Sequence, residues 1–178
     1  MANTCGHSGV IGVKVACLGN LDAGRFIQAK VNHNLLKFGD ICPIPEKFGL
    51  SLLAIQDQST FGTNQISTRM MISVANGFAP FPKWQNDVGD VVFVRQDRKP
   101  LTAFQMEALH GFNHRMLQMF DKHEGNYGEV QEMMTKNEWS RYWEVYKHVQ
   151  ICKLEKSGEP NSQFVVAEWK NAVNVLDV

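Results

Sequence analysis

The sequence has no excess of charge of either sign. Lysine and arginine together number 18, aspartate and glutamate also number 18, and the isoelectric point is near 7.0. Proteins that hold nucleic acid or anionic lipid mainly by charge carry a basic surface. We therefore expect neither nucleic acid nor a membrane surface among the partners of this protein.

Long apolar runs and a secretory signal are also missing. No run approaches the roughly 18 apolar residues of a membrane span, and no basic segment precedes an apolar stretch in the N-terminal MANTCGHSGVIGVKVACLG. The cysteines, Cys5, Cys17, Cys42 and Cys152, are far apart and form no CxxC pair. Thiols in this arrangement are typically reduced. These absences predict an intracellular protein, either cytoplasmic or nuclear.

Nucleotide-binding and nucleophile motifs are absent as well. The chain has no GxSxG elbow, no GxGxxG, no P-loop and no kinase signature. Gly6, Gly9 and Gly12 have the wrong spacing for a phosphate loop, and they lead into a predicted strand instead of a helix. We therefore expect no cofactor, and the sequence favours a non-catalytic protein over an enzyme.

The chain does contain enough apolar residues for one folded domain. Of its 178 residues, 44% are hydrophobic and 20% are charged. This predicts a single domain over residues 1–178, with a flexible end at residues 1–9. Runs rich in apolar and β-branched residues predict strands at 10–17, 50–55, 66–73 and 91–95.

The segment after the first strand has two interpretations. A turn at 19–24 followed by partial alternation over 25–31 favours a hairpin. The alternative is a helix over 22–38, with Asp22 as its N-cap and Gly39 at its end.

Capping boxes and apolar periodicity predict two helices in the second half of the chain. Thr102 and Gln105 open a helix over 103–121, and Thr135 and Glu138 open a helix over 136–147. The segment 163–169 is predicted to close the chain as a strand. The predicted fold class is α+β: one domain with a mostly antiparallel sheet from the first half and two or more helices packed on it.

The segment from Pro43 to Tyr142 resembles a known type of domain. It contains GLSLL, GTNQISTRMMI, NGFAPFPKWQNDVGDVVFVRQDRKPLT and NEWSRYW. This pattern resembles an uncharacterised domain that is widespread in fungal proteins, often beside a MYND-type zinc finger. The matching positions are Asn64, the segment 77–80, Trp84, Arg95 with Asp97, and the segment 100–102.

The resemblance implies a fold and an intracellular location, without an assigned activity or catalytic residues. It does not imply zinc, because this chain lacks the paired cysteines of a finger. Cys5 and His7 alone cannot supply the four ligands of a structural zinc site. We therefore expect no metal.

Glu107, His110 and His114 are the candidates for acid/base chemistry. At about 100° per residue they share one stripe of the first predicted helix with Gln118 and Asp121, opposite its apolar face. Histidines four residues apart can chelate a metal, but the HExxH motif is absent. The competing interpretation is a solvated polar face.

Aromatic residues supply the candidates for binding. Trp139, Tyr142, Trp143 and Tyr146 form one stripe of the second predicted helix, and Phe78, Phe81 and Trp84 lie in a proline-stiffened loop. Trp139 and Trp143 either pack the helix onto the sheet or anchor a partner. The loop either closes the core or forms a binding surface.

Two functional hypotheses follow. The first is a non-catalytic protein-interaction or oligomerisation domain, with Phe78, Phe81, Trp84, Trp139 and Trp143 at the contact. The alternative is a small enzyme with a pocket between the sheet and the first helix, in which His110, His114 and Glu107 act as acid/base groups. The sequence does not identify a partner or a substrate.

Overall fold

The computed structural model describes residues 9–17, 25–42, 49–57, 59–60, 62, 64, 88–122 and 127–177. The chain divides into two compact units. The sheet unit comprises Met1–Pro43 and Ser51–Ala103, and the helical unit comprises Ile44–Leu50 and Phe104–Val178. The predicted α+β class is confirmed, with the sheet in the first half and long helices in the second. The single-domain boundary stays a prediction.

Within the described residues, five antiparallel strands build the sheet unit. They are β1 (Gly9–Val15), β2 (Phe26–Asn32), β3 (Asp40–Cys42), β4 (Leu52–Gln56) and β5 (Val91–Arg95). Their order across the sheet is β2-β1-β5-β4-β3. The predicted hairpin is confirmed, because β1 and β2 pair from Gly9 opposite Asn32 to Val15 opposite Phe26.

The alternative helix over 22–38 is wrong. Backbone pairing with β1 holds residues 26–32 extended, and only His33–Phe38 coil, as a 3₁₀ helix. The Asn32 side chain opens that helix by accepting a hydrogen bond from the Asn34 N–H, and the Gly39 N–H closes it on the Leu36 carbonyl. Asp22, the proposed cap, lies outside the described residues.

The central strand β5 is covered on both faces, as its continuous apolar run predicts. Val91 and Phe93 on one face and Val94 on the other are each 0% exposed. Gly12 of β1 is needed here, because a methyl group in its place would collide with the Phe93 carbonyl and the Val94 side chain. The close packing around position 12 therefore requires glycine there, although glycine is otherwise unfavourable inside a strand.

Buried polar groups fix the loops that lead into β5. The Asp90 carboxylate is fully buried and accepts hydrogen bonds from the Cys17 backbone N–H at 2.9 Å and the Lys14 ammonium at 3.1 Å. The Asn64 amide donates to the carbonyls of Val15 and Gly89. Buried polar groups need such partners, so these side chains maintain the architecture of the sheet unit.

Three other positions of the fungal-type pattern also have structural roles in the sheet unit. The Arg95 guanidinium, nearly buried, binds both oxygens of the Asp97 carboxylate, and this hydrogen bond holds the pKa of Asp97 below its usual value. Leu101 is fully buried, and its N–H donates to the Ile11 carbonyl.

The helices are α1 (Ala103–Lys122), α2 (Tyr127–Met133), α3 (Lys136–Ser157) and α4 (Ser162–Asn171). The two predicted helices are confirmed as α1 and α3. Helix α3 continues past its predicted end at 147 because no helix-breaking residue occurs before Gly158, which ends it with a left-handed φ of 65°. None of the helices in the described ranges is long and apolar enough to cross a membrane.

The predicted strand at 163–169 is wrong, because this segment lies in α4. Its β-branched residues suggest a strand locally, but Ser162, Val166 and Trp169 are buried at helical spacing. The Trp169 ring contacts the rings of Trp143 and Tyr146. Packing within the helical unit therefore overrides the local preference.

Thr135 and Gln105, each from one of the predicted capping boxes, both form side-chain hydrogen bonds. The Thr135 hydroxyl accepts a hydrogen bond from the Glu138 N–H, as an N-cap should. The Gln105 amide donates to the Val173 carbonyl at 2.9 Å, so it ties α1 to the C-terminal segment. The predicted turn at 19–24, the predicted strand at 66–73 and the loop with Phe78, Phe81 and Trp84 lie outside the described residues.

Candidate functional site

Glu107 of α1 meets two tyrosines of α3, and we call Glu107, Tyr142 and Tyr146 the Glu107 cluster. The Tyr146 hydroxyl donates to Glu107 Oε1 at 3.2 Å. The two tyrosine rings stack with centroids 5.4 Å apart. A methyl group on Gly111 would collide with the Tyr142 hydroxyl. Glycine at this helical position therefore admits the Tyr142 side chain close to the backbone of α1.

The half-buried setting shifts the titration of all three groups. Burial raises the pKa of Glu107, against the opposing effects of the Tyr146 hydrogen bond and the Lys153 charge. Burial also raises the pKa of Tyr142 to about 12, and burial together with the Glu107 charge raises the pKa of Tyr146. The cluster therefore holds two neutral phenols beside a carboxyl group that keeps its proton to a higher pH than an exposed glutamate.

The histidines beside the cluster have unequal access to solvent. His114 is exposed and forms a 3.1 Å hydrogen bond with the Gln118 side chain, whereas His110 is half-buried. Their ring centroids are 6.5 Å apart. The interpretation of the stripe as a solvated polar face is thus correct for His114. It is wrong for Glu107, because Tyr146 of α3 covers the Glu107 carboxyl group. The Asp121 side chain lies outside the described part of the structure.

No metal centre is visible at this stripe. Within the described ranges, no three His, Cys, Asp or Glu side chains are placed to hold one ion. Cys152 of α3 is a free thiol. The expectation that the protein binds no metal therefore stays a prediction from the sequence.

Trp139 and Trp143, two of the predicted binding residues, lie in the interior of the helical unit. Their exposed fractions are 0% and 1%. The Trp139 indole N–H donates to the Asn174 amide oxygen at 2.7 Å, and its ring meets that of Phe112 edge-on. A partner would not reach these indoles in this conformation. Phe78, Phe81 and Trp84 lie outside the described residues.

A stripe on the solvent side of α3 was not among the sequence-based candidates. We call it the outer stripe, and its residues follow one another at intervals of four, three, four, three and four: Glu138, Tyr142, Val145, Val149, Cys152 and Lys156. At about 100° per residue these positions span an arc of about 80°, turned about 120° from the side that carries Trp139 and Trp143. Val145 is 62% exposed and Val149 is 40% exposed.

This spacing is the heptad pattern by which one helix presents a seam to another. Two adjacent valines open to water are unusual at such positions, since a helix normally buries its periodic apolar residues. The sequence prediction missed the stripe because it ended the helix at 147, which cut off Val149, Cys152 and Lys156.

A cavity of about 580 Å³ lies where α3 joins α4. Its lining includes Glu155, Glu159 and Lys170, and the Lys170 ammonium binds the Glu155 carboxylate at 3.0 Å. Charges of both signs therefore line it, so it has no clear preference for the charge of a ligand.

No protein-family model, no curated protein and no solved structure matches the chain. The resemblance to the fungal-type domain therefore stays a prediction.

Proposed function

We propose that this protein is a non-catalytic intracellular interaction domain. It associates with another protein chain through the outer stripe of α3. The observation that carries the proposal is the pair of exposed valines, Val145 and Val149, inside a heptad-spaced series on the 22-residue helix α3. A recognition helix presents its apolar anchors at this kind of spacing. Trp139 and Trp143, two of the residues predicted to bind a partner, instead fix another side of α3, about 120° from the outer stripe, in the interior.

Rigid support favours the outer stripe as a binding surface. Tyr142, at one edge of the stripe, is held against Phe112 with ring centroids 5.3 Å apart. The Thr135 cap and the left-handed Gly158 define the two ends of the helix. A helix that is already ordered loses little conformational entropy when a partner binds.

Affinity capture with a matched control tests the proposal. Each valine of the stripe is changed to aspartate, giving a Val145→Asp/Val149→Asp variant, and Val173→Asp is the control at a valine that is 53% exposed outside the stripe. We expect at least one partner, another copy of this chain included, to be recovered about tenfold less with the double variant, because binding would bury unpaired charge. The control should bind as the wild type does. Unchanged recovery of every partner would contradict the proposal.

A second candidate function, acid/base catalysis at Glu107, is favoured by one observation. The raised pKa of Glu107 beside the Tyr146 hydroxyl is the kind of perturbation found at sites of proton transfer. Carbon-detected NMR titration of the wild type, with Glu107→Gln to assign the signal, tests it. A Glu107 carboxyl group that titrates at its ordinary pKa would remove the basis for this candidate.

A further inference from the structure

We infer that the partner of the outer stripe is a second copy of this chain, bound antiparallel across a two-fold axis. This inference rests on the proposed interaction function and names the partner. Its basis is that the outer stripe is complementary to itself when one copy is reversed. A two-fold contact brings the same patch of both copies together, so the patch must match its own reverse.

The positions of the outer stripe are symmetric about residue 147. Val145 and Val149 lie two residues on either side of it, Tyr142 and Cys152 lie five, and Glu138 and Lys156 lie nine. An antiparallel pair centred there places Val145 of one copy against Val149 of the other. It also places each Glu138 carboxylate opposite the Lys156 ammonium of the other copy.

The flanking charges match in the same register. In an antiparallel helix pair, residues on one flank of the seam face the same flank of the partner helix. Arg141 and Glu155 lie on one flank, six residues before and eight residues after position 147, so their heights along the axis differ by about 3 Å and a second pair of opposite charges forms. A parallel pair instead places each Glu138 opposite the other Glu138 and each Lys156 opposite the other Lys156. Charge therefore favours the antiparallel orientation.

These charged side chains are accessible for exchange. Arg141 now binds Glu138 at 2.9 Å, with side chains that are 79% and 39% exposed. Glu155 binds Lys170, with side chains that are 51% and 56% exposed. Exposed ion pairs contribute little to stability, so a second copy can replace these partners without a large loss.

The contact is confined to one helix on each side. Helix α3 has 22 residues, about 33 Å at the usual rise. Such a contact is small beside a standard interface, which covers about 800 Å² of each partner. We therefore expect a dimer that dissociates on dilution.

Sedimentation over a wide range of protein concentration is the first test. The wild type should shift from monomer to dimer as concentration rises. Val145→Asp/Val149→Asp should weaken dimerisation at least about tenfold, because the dimer would bury unpaired charges. Val173→Asp should dimerise as the wild type does, and circular dichroism verifies that each variant is folded. A wild type that stays monomeric, or a double variant that dimerises equally well, would overturn the inference.

Disulfide crosslinking then tests the orientation in a Cys152→Ser background. Glu138→Cys/Lys156→Cys should crosslink between copies on oxidation, because the antiparallel register brings these positions together. Neither single substitution should do so, since like positions would lie about 27 Å apart. Crosslinking by Glu138→Cys alone would show a parallel pair and overturn the orientation.

Sedimentation and the affinity capture described above together separate this inference from the proposed function. If the wild type stays monomeric while Val145→Asp/Val149→Asp loses other partners, only the second copy is the wrong partner. If the wild type stays monomeric and the double variant keeps every partner, the inference and the proposed function both fail.

Discussion

Asp90 of the sheet unit and Glu107 of the helical unit are two shielded carboxyl groups in opposite situations. Asp90 is fully buried and receives hydrogen bonds from a lysine and a backbone N–H, so its charge has partners on both oxygens. Glu107 is half-buried, and burial is the largest influence on its pKa. The first carboxylate has a cation and a backbone donor as partners, whereas burial disfavours the charged form of the second.

Other side chains of the sheet unit and the helical unit show the same contrast. In the sheet unit, Asn64 binds backbone carbonyls and Arg95 binds Asp97, so buried polar groups maintain the architecture. In the helical unit lie the perturbed Glu107 cluster and the exposed valines of the outer stripe. Perturbed groups and exposed apolar series are the features associated with function, so the helical unit is where functional experiments belong.

Among the substitutions that test this contrast, Asp90→Ala is expected to lower the free energy of unfolding most. The change leaves the buried Cys17 N–H without its acceptor and removes the counter-charge of Lys14. Removing one partner of a buried pair typically costs about 3–5 kcal/mol, and we expect about 3 because Lys14 is 31% exposed and stays partly hydrated.

Urea denaturation at neutral pH measures this effect. Glu144→Ala is the control, because the Glu144 carboxylate is 67% exposed and pairs with Lys147 on its own helix. That change should alter the free energy of unfolding by less than about 0.5 kcal/mol. An equal effect of the two substitutions would contradict the structural role of Asp90.

The sequence predicted those features that depend on local pattern. The β1–β2 hairpin followed from period-two alternation, and α1 and α3 followed from their apolar periodicity and the Thr135 cap. The strand assigned to 163–169 failed because QFVVAEW is ambiguous locally and the burial of Trp169 decides its structure. Local pattern cannot supply that contact, because it joins elements distant in sequence.

The candidate site was predictable only in part, for the same reason. Glu107 was selected from its place on a helix, but its partner Tyr146 lies 39 residues away in sequence. Asp90 resembled an ordinary loop residue, since nothing in the sequence distinguishes a buried aspartate from an exposed one. The outer stripe was readable as a heptad pattern once α3 was known to continue to Ser157.

Gly111→Ala should have an intermediate effect on stability. Alanine favours a helix interior over glycine by about 1 kcal/mol, so on an open face the change would stabilise the protein. Here the new methyl group would collide with the Tyr142 hydroxyl. Since overpacking costs about 1–3 kcal/mol, we expect a net destabilisation of about 1 kcal/mol in chemical denaturation.

A double-mutant cycle isolates that collision. Tyr142→Phe removes the hydroxyl oxygen, so Gly111→Ala in that background should be neutral or stabilising. If Gly111→Ala destabilises both backgrounds equally, the Tyr142 hydroxyl is not the cause.

The smallest effect concerns Glu107→Gln and depends on pH. Because burial raises the folded-state pKa of Glu107 above its ordinary value of 4.5, the folded protein binds this proton more tightly than the unfolded chain does. The associated stability is fully present below the unfolded pKa and is lost as the pH rises through the folded pKa. Glutamine carries no titratable proton, so the free energy of unfolding of the wild type should fall relative to that of Glu107→Gln as the pH rises above about 4.5.

Denaturation of both proteins at a series of pH values measures the difference, and Glu144→Gln provides an exposed control. A difference between wild type and Glu107→Gln that is independent of pH, or that changes in favour of the wild type, would place Glu107 in the same class as Asp90 and abolish the contrast between the two units.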